Sequence, residues 1–132
     1  MLNNFIADAI REVADSVSPV EISMANGFRF GNAVLPESAI TLRDLYTWFP
    51  VGPAVNVAEF AGQTIEAGLE EILGAVFNRN PFLQRGGWYL GLANMTQTID
   101  LDNRPFSSSG GRIVQTTLGG GPLDPSKRYL FA

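Results

Sequence analysis

The sequence predicts an α+β domain from three observations: two amphipathic stretches at helical spacing, several short stretches of two-residue alternation, and Gly- and Pro-rich turns between them. The expected arrangement is two or three helices, led by residues 3–17 and 62–77, against a mixed sheet of about five short strands. With 132 residues and 45% hydrophobic composition, the chain is one domain over residues 1–132, long enough to bury a core.

Leu2, Phe5, Ile6, Ala9, Ile10 and Val13 recur at helical spacing, opposite Asp8, Arg11, Glu12 and Asp15. The first helix therefore packs on a core, with Asn3 or Asn4 as its cap, and is neither a signal peptide nor a membrane span. Residues 20–25, VEISMA, alternate around Ile22 and Met24 and predict a strand that leads into a glycine-bracketed segment. In that segment Gly27 and Gly31 flank Phe28, Arg29 and Phe30. Glycine on both sides permits positive φ or close approach of the backbone to a ligand, and the Arg29 guanidinium offers a fork of donors to an oxyanion. The same spacing also fits a tight turn whose arginine pairs with a surface carboxylate.

Thr41 and Asp44 have capping-box spacing, which starts a short helix running through Trp48, and Pro50-Val51-Gly52-Pro53 stops it. Residues 54–60, with Val55 and Val57 on one face, predict a second strand. In the helix that Gly62 opens, Ile65, Leu69, Ile72, Leu73, Val76 and Phe77 form an apolar stripe, and Glu66, Glu70 and Glu71 fall mostly on the solvated side. Adjacent helix positions do not face one another, so Glu70 and Glu71 are not a paired-carboxylate site.

Residues 78–94 read as a long loop carrying Arg79 and Arg85. Arg85-Gly86-Gly87-Trp88-Tyr89 fits either a guanidinium and rings beside a ligand or a Gly-Gly turn whose aromatics plug the core. Residues 95–101 and 112–118 alternate and predict antiparallel neighbours. Gly119-Gly120-Gly121 lacks the Lys-Ser/Thr of a phosphate loop and reads as a turn. A last strand starts at Tyr129 and reads as interrupted at Ala132.

Composition narrows the function. Nine basic residues against thirteen acidic give a net charge of −4, which favours neither a nucleic-acid polymer nor an anionic membrane. The chain has no histidine and no cysteine, which removes histidine-based triads, thiolate nucleophiles and the commonest ligands of catalytic transition metals. Acting alone, it is a poor enzyme and carries no metal site of its own.

The order of motifs resembles the C-terminal domain of the 5′-nucleotidase family of binuclear metallophosphoesterases. FIADAIRE at 5–12, NGFR at 26–29, LPESAITLRDLYTWFPVG at 35–52, AGQTIEAGLE at 61–70 and PLDPSKRY at 122–129 carry the resemblance over nearly the whole chain. GFRFG at 27–31 and VFNRNPFLQRGG at 76–87 look closer to the SoxB branch, which hydrolyses sulfate from a protein-bound cysteine S-thiosulfonate. The resemblance implies a 5′-nucleotidase C-terminal-domain-like fold, cut short at its C-terminal end. It also implies a preceding metallophosphoesterase domain holding two divalent, manganese-like metals, and a periplasmic or secreted enzyme. In that scheme this chain recognises an anionic substrate, possibly carried on a protein cysteine. Arg29 stands where the family has the arginine of its Gly-Gly-Ile-Arg motif, with one residue fewer before it, and Asn26, Gly27 and Phe28 shape the segment. Arg85 is a second candidate cation. Nucleotidases commonly carry Pro-Phe-Gly-Asn, whose ring stacks on the base, where this sequence has Pro50-Val51-Gly52-Pro53. Two further readings stay open: a nucleotide phosphohydrolase domain, and a non-catalytic module that binds an anion or a partner.

Overall fold

The structure, a computed structural model, describes residues 2–26, 31, 33–52, 54–85, 89–102 and 111–132. Its elements run α1 (Leu2–Asp15), β1 (Ser23–Ala25), α2 (Leu42–Trp48), β2 (Ala58–Ala61), α3 (Gly62–Val76), a 3₁₀ turn (Pro81–Leu83), β3 (Gly91–Ala93), β4 (Met95–Ile99), β5 (Ile113–Leu118), β6 (Gly121–Pro122) and β7 (Arg128–Phe131). The class is α+β, with three helices among the described residues.

The strands form two groups. In one, β2 pairs antiparallel with β7 and β1 pairs antiparallel with β3. Backbone bonds join the two pairs: the amides of Glu21 and Ile22 donate to Leu130 O (3.0 and 3.2 Å), Met24 N donates to Ala132 O (2.9 Å) and Ala132 N to Ile22 O (3.0 Å). The Ile22–Phe131 bridge is parallel, so the mixed sheet expected from sequence exists as a β2–β7–β1–β3 layer. The second group, β4–β5–β6, is antiparallel, as the alternation predicts for β4 and β5, and its register sets Met95 opposite Leu118. Asn94, at φ 59°, turns the chain from one group to the other in a single residue. Its side-chain amide donates to Glu21 O at 2.9 Å, and its carbonyl accepts from Gly119 N at 3.1 Å. Gly119 and Gly120 both have positive φ and make the turn into β6.

The main core lies between α3 and the strands, where Ile22, Ile65, Leu69, Met95 and Tyr129 are buried together. The motif at 122–129 closes the start of α3. Gly62 N donates to Lys127 O and Gln63 N to Pro125 O, both at 2.9 Å, so carbonyls satisfy amides that the helix itself leaves unpaired. A Cβ on Gly62 would stand 2.2 Å from Asp124 O, which is why glycine opens this helix.

Three expectations need correcting. The helix α1 does not bury Phe5 and Val13, which are 56% and 67% exposed; it buries Ala7 and Ala14, with Ile6 and Ile10 packed alongside. The reason is distance: α1 lies so close to β1 and β3 that a Cβ on Gly91 would be 2.2 Å from Asn3 O, and only small side chains fit between. Asn4 does not cap this helix but accepts a 3.3 Å bond from Leu92 N. Glu70, expected in solvent, is half-buried and accepts the backbone amides of Arg112 and Ile113 (2.9 Å for the latter).

Candidate functional site

Strand β1 is held from three sides. Ser23 is buried and its hydroxyl donates to Ala7 O, Ala25 pairs with Gly91, and Met24 N donates to Ala132 O. This fixes the direction in which the chain leaves β1 at Asn26, which is exposed. The other described end of the arginine segment is Gly31, at φ +118°, a conformation rarely adopted by residues with a side chain. Its Cα faces the Trp48 indole, and a Cβ there would be 1.9 Å from Trp48 Cδ1. Gly27, Phe28 and Arg29 lie outside the described residues.

The residue that meets Gly31 is delivered by α2. The Thr41–Asp44 box closes as the sequence predicts: Thr41 N donates to Asp44 Oδ2 at 2.9 Å and Asp44 N to Thr41 Oγ1 at 3.3 Å. Thr41's hydroxyl and amide hold the Asp44 carboxyl below its ordinary range, helped by the nearby Arg43 charge. At the far end of this two-turn helix Trp48 points inward and is 7% exposed, whereas Leu42 and Tyr46 face outward. After it the chain exposes Val51, and Pro53 lies outside the described residues.

Arg85 belongs to another part of the molecule. Its guanidinium is 3.5 Å from Glu71 Oε1, both side chains are largely in solvent, and its amide donates to Ala75 O at 3.3 Å. A surface pair of this kind holds little energy. It lines a cleft of about 450 Å³ between α3 and the 3₁₀ turn, together with Glu70, Glu71 and the exposed Phe82. No described contact joins Arg85 to Asn26 or Gly31.

The residues that sequence reading passed over are Trp48, Glu70 and Arg112. Arg112 is 3% exposed; its guanidinium donates to Leu73 O and Phe77 O, each at 3.0 Å, and stacks 5.8 Å from the Phe77 ring centre. It thereby caps the C-terminal end of α3, where carbonyls lack partners and the dipole is negative. The available signal was the shared stripe of Glu66 and Glu70, one helical turn apart, facing Thr116 and Arg112, which share one face of an alternating stretch. Thr116 Oγ1 indeed donates to Glu66 at 2.9 Å.

The sequence has no histidine or cysteine, and no group of three ligating side chains stands together among the described residues, so those residues do not fit a two-metal centre. No described helix is long and apolar enough to cross a membrane.

The family described as 5′-nucleotidase, C-terminal domain, matches residues 1–132. The chain belongs to that family. Among relatives of this 5′-nucleotidase C-terminal domain, the trifunctional nucleotide phosphoesterase protein YfkN of Bacillus subtilis (strain 168) is 29% identical over 117 residues, 89% of this chain and 7% of its own length. The structure of the sulfate thiohydrolase SoxB of Thermus thermophilus superposes with a TM-score of 0.76 at 32% identity, covering 94% of this chain and 22% of SoxB. A 5′-nucleotidase precursor, also of Thermus thermophilus, gives a TM-score of 0.74 at 26% identity, over 98% of this chain and 24% of that one. The domain thus spans a quarter or less of each of these relatives.

Proposed function

We propose that this domain recognises the substrate of a binuclear-metal hydrolase of the 5′-nucleotidase and SoxB type, and that the substrate carries a thiosulfonate or sulfate-ester-like group. Arg29 binds the oxyanion, Asn26, Gly27 and Phe28 shape the segment around it, and Arg85 serves as a second cation for an extended substrate. The two divalent metals belong to an N-terminal metallophosphoesterase domain of the same polypeptide, where they supply an activated water. The enzyme is periplasmic or secreted.

One observation carries the choice of substrate: Val51 and Pro53 stand where nucleotidases commonly have a stacking phenylalanine and a base-contacting asparagine. A valine has no aromatic face and a proline no side-chain amide. Similarity to SoxB supports the same reading. A second reading, nucleotide phosphohydrolysis, is favoured by the likeness to YfkN and to the nucleotidase precursor.

The test is turnover by the full-length, manganese-loaded gene product on a cysteine S-thiosulfonate peptide and on 5′-AMP, for wild type and Arg29→Ala. Thiosulfonate hydrolysis that depends on Arg29, with little activity on AMP, is the expected result. Efficient AMP hydrolysis establishes the second reading instead.

A further inference from the structure

We propose that the outward face of α1 is the surface on which the N-terminal metallophosphoesterase domain of the same polypeptide docks, with Phe5, Ala9 and Val13 at the centre of the contact and Asp8, Glu12 and Asp15 along its flank. This rests on the reading above that such a domain precedes this one, and adds where the two meet.

At about 100° per residue, the apolar positions of α1 span roughly half of the helix circumference, from Phe5 round to Ala14 and Ala7. The strands cover one side of that span: Ala7 and Ala14 are buried, and Ile6 and Ile10 pack alongside. On the other side Phe5, Ala9 and Val13, at i, i+4 and i+8, stand exposed as one row about 12 Å long. Asp8, Glu12 and Asp15 form a second exposed row beside it, with Arg11 between that row and the strands. Size decides what covers the apolar row. A separate partner buries roughly 800 Å² on each side of a stable interface, far more than three side chains offer. A domain joined to this one in the same chain meets α1 at an effective concentration of about a millimolar for a short linker, so a contact this small can hold it. The relatives have room for such a domain, since at least three quarters of each lies outside the matched region. Charge also disfavours a second copy: pairing two copies antiparallel, row against row about a two-fold axis, sets both acidic rows side by side, where like charges repel. The same acidic flank specifies the facing surface, an apolar patch bordered by lysine or arginine.

The test uses the full-length protein. This chain has no cysteine, so Phe5→Cys and Val13→Cys, made singly, each place one thiol in the row, and maleimide labelling is followed by mass spectrometry of the peptide that carries it. Both positions are more than half exposed in this domain, so slow labelling reports a cover from outside it. Labelling of the folded protein should be at least about tenfold slower than that of the same variant unfolded in urea, at every protein concentration. Reversing the flank, with Asp8→Lys and Glu12→Lys together in the Val13→Cys background, should speed labelling of the folded protein at least about fivefold. Labelling as fast in the folded as in the unfolded protein overturns the inference, and so does protection that charge reversal leaves unchanged. Protection that appears only at high concentration, with a dimer in sedimentation, overturns it in favour of a second copy. A full-length gene product that contains no metallophosphoesterase domain strikes the underlying reading and the inference together.

Discussion

Two helices pack on strands in this domain by opposite means. The helix α1 meets β1 and β3 through alanines and a glycine, Ala7, Ala25, Ala93 and Gly91, so its stability comes from close approach of backbones. The helix α3 meets β5 through a polar seam, Glu66 to Thr116 and Glu70 to the amides of Arg112 and Ile113, with Arg112 closing the helix end and Leu69 and Leu73 buried beside it. The first face tolerates no added volume; the second tolerates no lost partner. A hydrophobicity pattern describes the first kind of face imperfectly and the second hardly at all.

The sharpest way to break the polar seam is Arg112→Ala. It strips the cap from the end of α3, removing the guanidinium donor from the Phe77 carbonyl and leaving the Leu73 carbonyl with the Phe77 amide alone, at a cost of about 2–4 kcal/mol measured by urea unfolding. A loss below about 1 kcal/mol would show that water replaces the guanidinium freely. The matching attack on the small-residue face is Gly91→Ala, whose new Cβ would stand 2.2 Å from a backbone oxygen of α1. Overpacking of this kind costs about 1–3 kcal/mol, and a second substitution on α3 should add to it independently.

The smallest effect separates the two faces by pH. Burial and the nearby Glu70 charge push the Tyr89 hydroxyl up to about 12, against a weaker opposing hydrogen bond to Gln97. Below pH 10 the tyrosine is neutral whether the chain is folded or not, so its contribution is complete there. Between its ordinary value of 10.0 and about 12 the unfolded chain ionises first, and stability falls as pH rises. Tyr89→Phe should abolish that part of the alkaline slope in unfolding midpoints recorded from pH 9 upward. An unchanged slope would assign the titration to other groups.

Much of the fold was legible because local rules governed it. The capping box at Thr41 and Asp44, the start of α3 at Gly62, the β4–β5 pairing and the turn at Gly119 and Gly120 follow from spacing and backbone chemistry alone. The buried face of α1 was not legible, since Phe5 and Val13 have the right spacing but the wrong size for so tight a gap. Nor was Glu70, because a carboxylate on an amphipathic helix looks solvated until a strand's amides are brought to it by tertiary contact. At the site, sequence marked Arg29 and its bracketing glycines, and structure adds why the second of these must be glycine: an indole occupies the space beside it. Arg85 was marked by chemistry alone, and its described partners, Glu71 and Ala75, belong to the α3 region.

The parallel bridge between Ile22 and Phe131 also sets a timetable for folding. The strand that joins the two halves of the mixed layer, β7, pairs with residues at nearly the opposite end of the described chain. Closing so large a loop is slow compared with forming α3 or the β4–β5 pair. During synthesis α1, β1 and β3 can associate early, but the open side of β1 stays unpaired until residues 128–132 have left the ribosome. The emerging domain therefore passes through a stage with an exposed strand edge, the interval in which a chaperone has something to hold.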